Sequence, residues 1–477
     1  MSGTRSAKSV VIGVDAGTTV TKAVAFDGDG VPLARAARPT VLDRAGEGRY
    51  EQDTDQVVAS VEAVLAELRA TVDSPIAAVG VTAQGDGLWL VDAEGRPVRP
   101  AISWLDARAT PVLDTWSAEG LLDLVYRRTG NHLFPGSAGP LLSWLDKHEP
   151  ATLDRAATAA YCKDVILQRL TGVRATDPSD ASAPFLDPRR RAYDEELIAA
   201  CGLDHRRDLL APVTAAPHGV AADGTTVVAA PYDLPASAWG AGVGAVGDGL
   251  LIVGTTLACQ VLTDTVDTDG EPSGLTLSTW DDGRWLRALP AMVGTAALDW
   301  VLRLVGASIV DLPGLLAAGR ADGLTVLPFF AEAGERAPFV APRARARIDG
   351  LHLGTDRADV VRATCEAIAY SARHNLEAAG LTGELTACGG GVASPEWAQI
   401  FADALGRPVR VLGGQEIGAR GAALAARRVL GLPPLPAPEG ETFAPDPSVR
   451  DRYETGYSRY LHHIAQARPF WAGEGTS

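Results

Sequence analysis

Two short loops carry the residue types that phosphate chemistry needs. The first is Asp15-Ala16-Gly17-Thr18-Thr19, set between the apolar runs Val10 to Val14 and Lys22 to Phe26. Glycine lets a ligand approach the backbone, and threonine hydroxyls with free N–H groups suit phosphate oxygens. Asp15 could hold a divalent cation, directly or through water. A tight turn rich in threonine explains this loop almost as well. The second loop, Gly254-Thr255-Thr256, repeats the device inside LLIVGTTLACQV, Leu250 to Val261. Duplicated halves facing each other across a cleft would bring both loops to one polyphosphate. A lone carboxylate, Asp233, stands where the strand Thr225 to Ala230 gives way to a small-residue stretch, Leu234 to Gly242. Such a residue commonly caps its helix. Facing the loops, it also suits a general base.

These residues need elements to hold them. Val57, Val58, Val61, Val64, Leu65 and Leu68 recur at helical spacing, with Asp53 or Thr54 to cap them. Ile76 to Val81 reads as a buried strand ending at Thr82-Ala83-Gln84-Gly85-Asp86-Gly87, and Leu88 to Val91 resumes a strand. Polar clusters at strand ends are where open α/β sheets bind ligands; a hairpin turn with a solvated Asp86 is the alternative. In AISWLDARA, Ala101 to Ala109, strand alternation puts Trp104, Asp106 and Arg108 on one face. They line a polyol pocket or form a structural ion pair beside a core Trp. Leu385 to Cys388, Gly389-Gly390-Gly391 and Pro395 to Leu405 read as strand, glycines and helix, a nucleotide-binding arrangement or a plain turn. A Pro-rich linker, Leu432 to Pro447, leads to a docking helix over Arg452 to Trp471.

The totals bound the function classes. At 477 residues the chain is too long for one ordinary core. With 46% hydrophobic residues and no apolar run near the roughly 20 that a span needs, it reads as soluble and globular. MSGTRSAKS lacks an apolar signal core. Five cysteines, at 162, 201, 259, 365 and 388, form no close pairs, which suggests reduced thiols in a cytoplasm, with neither a disulfide frame nor a zinc site. A net charge of −16 argues against nucleic acid and anionic membranes as partners.

The chain resembles the FGGY family of carbohydrate kinases over nearly its whole length. GVDAGTTVTKAV resembles the family's first phosphate loop and GDGLLIVGTT its second. RIDGLHLGTDRADVVRATCEAI, residues 347–368, is similar to the C-terminal signature, with Cys365 where an apolar residue is usual. ACGGGVASPEWAQIFADALGRPV, residues 387–409, resembles the adenosine-binding segment, and PYDLPASAWGAG, residues 231–242, the segment of the catalytic aspartate, which falls on Asp233. Before Trp144, Leu141 stands where lysine is usual. TAQGDGLWLVDAEGRPV and AISWLDARA are most similar to erythritol-type polyol kinases and L-xylulose-type kinases. Xylulokinases usually show Met-His where this chain has Gly85-Asp86. Glycerol kinases show Arg-Glu there, and Gln where it has Leu234.

The resemblance implies an α/β fold of two ribonuclease H-like domains, as in actin and hexokinase, with a central cleft. The expected units are 1–245 with the substrate side, 246–435 with the adenosine side, and 436–477 as linker and docking helix. It implies transfer of the γ-phosphoryl of ATP to a hydroxyl of a tetritol, pentitol or ketopentose. Asp233 serves as base, and Mg²⁺ lies near Asp15 and Asp233. Gly17, Thr18, Thr19, Lys22, Gly254, Thr255, Thr256, Gly294, Gly390, Gly391 and Ala393 fall on the ATP side. Gln84, Asp86, Trp104, Asp106 and Arg108 face the polyol. A homodimer is expected on family grounds. The rival readings are a xylulokinase proper and a non-catalytic ATP-binding member of the actin-like fold. A dinucleotide oxidoreductase is disfavoured, since Ser394 breaks G-x-G-x-x-G after Gly389 and Gly391.

Overall fold

Two mixed sheets repeat one plan. The structure is a computed structural model that describes residues 10–414 and 416–472. In the first half, β1 (Val10–Ala16), β2 (Val20–Phe26) and β3 (Pro32–Pro39) form an antiparallel meander. After α1 (Thr54–Thr71), β4 (Ile76–Ala83) returns parallel to β1. Beyond a helical lobe and α2 (Cys162–Thr171), β5 (His218–Val220) forms the antiparallel edge and β6 (Thr226–Ala229) lies parallel to β4. The order is β5-β6-β4-β1-β2-β3. Then α3 (Asp233–Gly240) crosses to the second half.

There the plan recurs. β7 (Gly249–Val253), β8 (Leu257–Thr263), β9 (Leu275–Ser278) and β10 (Trp285–Ala291) pair antiparallel. After α4 (Thr295–Leu304) and α5 (Arg357–Ala378), β11 (Leu385–Cys388) lies parallel to β7. β12 (Val409–Val411), after α6 (Pro395–Leu405), lies parallel to β11. α7 (Ile417–Val429), the antiparallel edge β13 (Glu441–Phe443) and α8 (Arg450–Ala472) complete the chain. The order β9-β10-β8-β7-β11-β12-β13 matches the first sheet strand for strand around its centre, with one extra antiparallel strand. The repeated Gly-Thr-Thr loops are the same hairpin turn in both copies, β1–β2 and β7–β8. The expected α/β fold of paired actin-type domains holds.

Local chemistry explains the elements. α1 buries the valine and leucine stripe read from the sequence, and Asp53 caps it by accepting from the N–H groups of Asp55 and Gln56. α2 stops at Gly172, which adopts left-handed φ 78° as a helix end favours. One expectation fails. Strand alternation over Ala101–Ala109 ends at Ile102, and residues 103–109 form turns. The Asp106 carboxylate accepts from the Arg108 N–H at 2.8 Å, a local bond that competes with strand pairing. The lobe has its own core, with Trp116, Val125, Leu141, Trp144 and Phe185 buried together.

α7 belongs in sequence to the second half yet packs on the first sheet. Ala419, Ala422, Ala423 and Ala426 are buried with Val11, Val24, Ala78 and Val228. Backbone meets backbone there. A Cβ on Gly13 would lie 1.7 Å from the Ala419 carbonyl oxygen, on Gly80 1.8 Å from that of Ala422, on Gly240 1.8 Å from that of Ile417, and on Gly421 1.9 Å from that of Ala236. Close crossing of α7 over β1, β4 and α3 therefore requires four glycines.

We expect Gly421→Ala to force α7 off α3 and cost about 1–3 kcal/mol of unfolding free energy or more. Gly314→Ala, in a helix with nothing within 4 Å of the added carbon, should be neutral or stabilising by about 0.5–1 kcal/mol. Denaturant titration of the two variants checks the pair.

Candidate functional site

The first loop is tied to the residue after β4 and to the turn carrying Trp104. Gly17 N–H donates to the Val20 carbonyl at 3.1 Å, closing the β1–β2 turn. The Thr18 hydroxyl donates to Gln84 Oε1 at 2.9 Å and accepts from Trp104 Nε1 at 3.0 Å. Gln84 in turn donates to Gln52 Oε1 at 2.7 Å, and Gln52 Nε2 donates to the Thr18 carbonyl at 2.9 Å. The structure thus brings Thr18, Gln84 and Trp104 together. It commits the Thr18 proton to Gln84, leaving the main chain and the exposed Thr19 to a ligand. Lys22 pairs with Glu416 at 3.0 Å, just before α7, and its charge also reaches Asp15.

Three carboxylates gather beside this loop. Asp15 is the next-to-last residue of β1, and its Oδ2 lies where a Cβ on Gly418, in the first turn of α7, would come within 2.2 Å. Burial lifts its pKa to about 6, against the lowering pull of Lys22. Asp233 is the first residue of α3, and the residue before it, Tyr232, gives that helix no side-chain cap. The Asp233 carboxylate accepts from the Leu234 N–H of its own helix, so part of the capping role is kept. Burial, then the Asp15 charge, raises its pKa to about 8 against the lowering pull of that bond, with Asp86 adding to the rise. Asp86 is held at φ 55° between two glycines. A Cβ on Gly85 would strike the Tyr232 ring at 2.3 Å, and Gly87 N–H donates to the Gly136 carbonyl at 2.9 Å. Asp86 is raised to about 7, chiefly by burial.

Among the described residues, no three His, Cys, Asp or Glu side chains gather as a metal cage. Mg²⁺ bound with a triphosphate does not need one, because it keeps water and takes one or two carboxylates plus phosphate oxygens. Asp15, whose charge raises the pKa of Asp233, and Asp233, with no cation named among the influences on it, suit that donor set.

The second loop is braced by the glycines expected on the adenosine side. Gly294 N–H donates to the Thr255 carbonyl and Thr295 N–H to that of Gly254, each at 2.8 Å. A Cβ on Gly294 would lie 2.5 Å from the Gly254 oxygen, and one on Gly391 2.2 Å from Val253 Cγ1. Thr255, Thr256, Gly390 and Ala393 stay exposed at the same end of the second sheet.

Asp106 and Arg108 are spent on each other. Arg108 Nε and Nη2 donate to the two Asp106 oxygens at 2.8 and 2.9 Å, and Tyr50 N–H donates to Asp106 at 2.7 Å. Arg108 also bonds Glu51 and lies over the Trp144 ring at 5.4 Å. This is the structural ion pair of the two sequence readings, and it fixes the turn carrying Trp104. A cavity of about 410 Å³ opens beside it, lined by Trp104, His132 and Phe134 of the first half and by Thr256, Met292, Glu335 and Arg336 of the second. Trp104, hydrogen-bonded to the first loop, and Thr256 of the second loop face one cavity.

The mount of Asp233 escaped the sequence reading. Lys163, buried in α2, contacts Asp164, Asp177 and Asp180 at 2.8, 2.9 and 2.7 Å. Ser179 donates to Asp177 at 2.8 Å and accepts from Tyr232 N–H at 3.0 Å, one residue before Asp233. Thr82 Oγ1 donates to the Pro231 carbonyl at 2.7 Å. Ser179 gives its proton to Asp177, so its lone pair faces the Tyr232 N–H. On the same turn, Ser182 Oγ accepts from Ser278 N–H of β9 at 2.9 Å.

Duplicated sheets, each with a Gly-Thr-Thr hairpin loop, define the two-domain fold of the actin and hexokinase type. Residues 10–229 match the N-terminal domain of the FGGY family of carbohydrate kinases and residues 291–429 its C-terminal domain. The chain belongs to that family. It is similar to the erythritol kinase of Brucella abortus (strain 2308), 32% identical with 99% of each chain covered. It is similar to the xylulose kinase of Escherichia coli (strain K12), 26% identical over 95% of this chain and 100% of that one. The crystal structure of xylulose kinase from Rhodospirillum rubrum superposes with a TM-score of 0.88 at 29% identity, covering 97% of this chain and 100% of that one.

Ser179→Ala removes the acceptor for Tyr232 N–H and loosens the Asp233 mount. Turnover should fall about 10- to 100-fold, as small misplacements of a reacting group cost. ATP affinity, measured by calorimetry, should stay at the wild-type value.

Proposed function

We propose that the protein is an ATP-dependent kinase of a small polyol, with erythritol as the first substrate to test. The observation that carries this is one cavity faced by Thr256 of the second loop and by Trp104, which hydrogen-bonds Thr18 of the first. The likeness to an erythritol kinase along nearly the whole chain supports the substrate class. Asp233 takes the proton of the attacking hydroxyl. Thr19, Thr255 and loop N–H groups steady the phosphoryl group in transit, a reaction that depends mainly on positioning and electrostatics. Mg²⁺, held by Asp15 and Asp233 with the phosphates, supplies the positive charge that offsets theirs. Gly390, Gly391 and Ala393 line the adenosine side. Trp104 and Asp86 face the polyol, with Gln84 holding the Thr18 hydroxyl between the two sides. Closure of the two halves keeps water from competing as the nucleophile. Five thiols without a disulfide suit a reducing cytoplasm.

A coupled ADP assay across erythritol, threitol, xylitol, D- and L-xylulose, ribulose and glycerol tests the reading. ADP release should depend on a polyol and be fastest with a four- or five-carbon substrate. Slow release indifferent to every sugar would instead favour a non-catalytic ATP-binding member of the fold.

A base must be ionised to act, so activity should fall as acid protonates Asp233. The folded pKa is raised, to about 8 in the unliganded protein, and a cation bound beside it would lower it, so kcat/KM for the polyol should climb with pH and level off below that value. Asp86→Asn removes one of the charges raising it, and the pH–rate profile of that variant should shift its limb to lower pH.

A further inference from the structure

We propose that Arg336 is a substrate-binding residue supplied by the second half, its guanidinium holding a polyol hydroxyl in the cavity that it borders together with Trp104 and Thr256. This rests on the kinase reading above and adds the residue by which the second half recognises the polyol. Arg336 follows the second-half strand Thr325–Leu327, yet its guanidinium lies 5.7 Å over the ring of Phe134, in the lobe of the first half. Its Nε donates to the Pro290 carbonyl at 2.9 Å. Among the described residues its two terminal nitrogens have neither a hydrogen-bond acceptor nor an ion-pair partner, and they border the cavity.

The arginine is built in place. The Glu335 carboxylate folds back on its own loop, its Oε1 accepting from the N–H groups of Met292, Arg336 and Ala337 at 2.9, 2.8 and 3.3 Å. That brace fixes the backbone from which the guanidinium extends. Asp86, held in its left-handed turn and likewise without a hydrogen-bond partner, lies within electrostatic reach of the guanidinium. The two charges influence each other, yet no ion pair joins them.

A guanidinium drawn out of bulk water with its terminal nitrogens unpaired is costly unless a ligand accepts from them. A structural role would have paired it, as Arg108 is paired with Asp106. A guanidinium has only donors. A hydroxyl accepts from it and can donate onward, so a polyhydroxylated chain suits this wall. Phe134, Pro290 and Met292 add the apolar surface that its carbon skeleton needs. Since one wall belongs to each half, the polyol itself links them, and its arrival favours closure over the nucleotide.

The test measures steady-state kinetics of wild type, Arg336→Gln and Arg336→Lys with erythritol and D-xylulose as probes, varying polyol and ATP separately. In Arg336→Gln, kcat/KM for the polyol should fall about 100-fold, mainly through KM, as loss of a buried hydroxyl contact does. Arg336→Lys should recover part of it. KM for ATP at saturating polyol should stay within about twofold of wild type. Losses in Asp86→Asn with Arg336→Gln should combine to less than their sum, since both grip one molecule. A polyol KM within about twofold of wild type, or an ATP KM that rises as much as the polyol KM, overturns the assignment. If wild type turns over and only the arginine variants behave normally, this inference alone falls. If wild type phosphorylates no polyol or sugar in the panel, the kinase reading and this inference fall together.

Discussion

The direct contact between α7 and the first sheet sets the geometry of everything else. Ordinary helix packing keeps side chains between backbones, with axes about 8–10 Å apart. Here Gly13, Gly80, Gly240 and Gly421 remove that layer, and carbonyl oxygens occupy the space that Cβ atoms would take. One helix from late in the chain thereby touches the strand that carries Asp15, the strand that leads to Asp86 and the helix that begins with Asp233. The three carboxylates are neighbours because their backbones are held against a common rod.

That arrangement gathers negative charge where water is scarce. Asp15, Asp86 and Asp233 all titrate above the ordinary carboxylate range, with burial the largest cause in each case. An unliganded protein tolerates this by holding part of the cluster protonated. In the kinase reading, Mg²⁺ arriving with the nucleotide would supply positive charge, and a polyol would supply hydroxyls that accept and donate. The site is incomplete without its substrates, as expected for a catalyst that spends binding energy on the reacting state.

Much of this was legible in the sequence where chemistry and chain position coincide. Asp15 through Thr19 and Gly254 through Thr256 each lie in one hairpin, so residue type and spacing exposed them. Asp233 was visible for a similar reason, at a strand-to-helix junction. Trp104, Asp106 and Arg108 were grouped correctly but for the wrong reason, since a turn and not a strand holds them, and two of the three satisfy one another. Arg336 left no signal, because an arginine in a polar loop looks the same whether it faces solvent or a cavity. The Lys163 cluster and its link through Ser179 to Tyr232 were equally hidden, as its members acquire meaning only when the lobe folds over β6. The crossing glycines could be counted in the sequence, but which of them bear on α7 required its position.

Asp233→Asn tests the central claim most directly, because the amide keeps the shape of the site and removes the proton acceptor. Turnover with the preferred polyol should fall about 10²- to 10⁴-fold, while the variant binds ATP as wild type does in the same titration. Near-normal polyol phosphorylation by that variant would contradict the account.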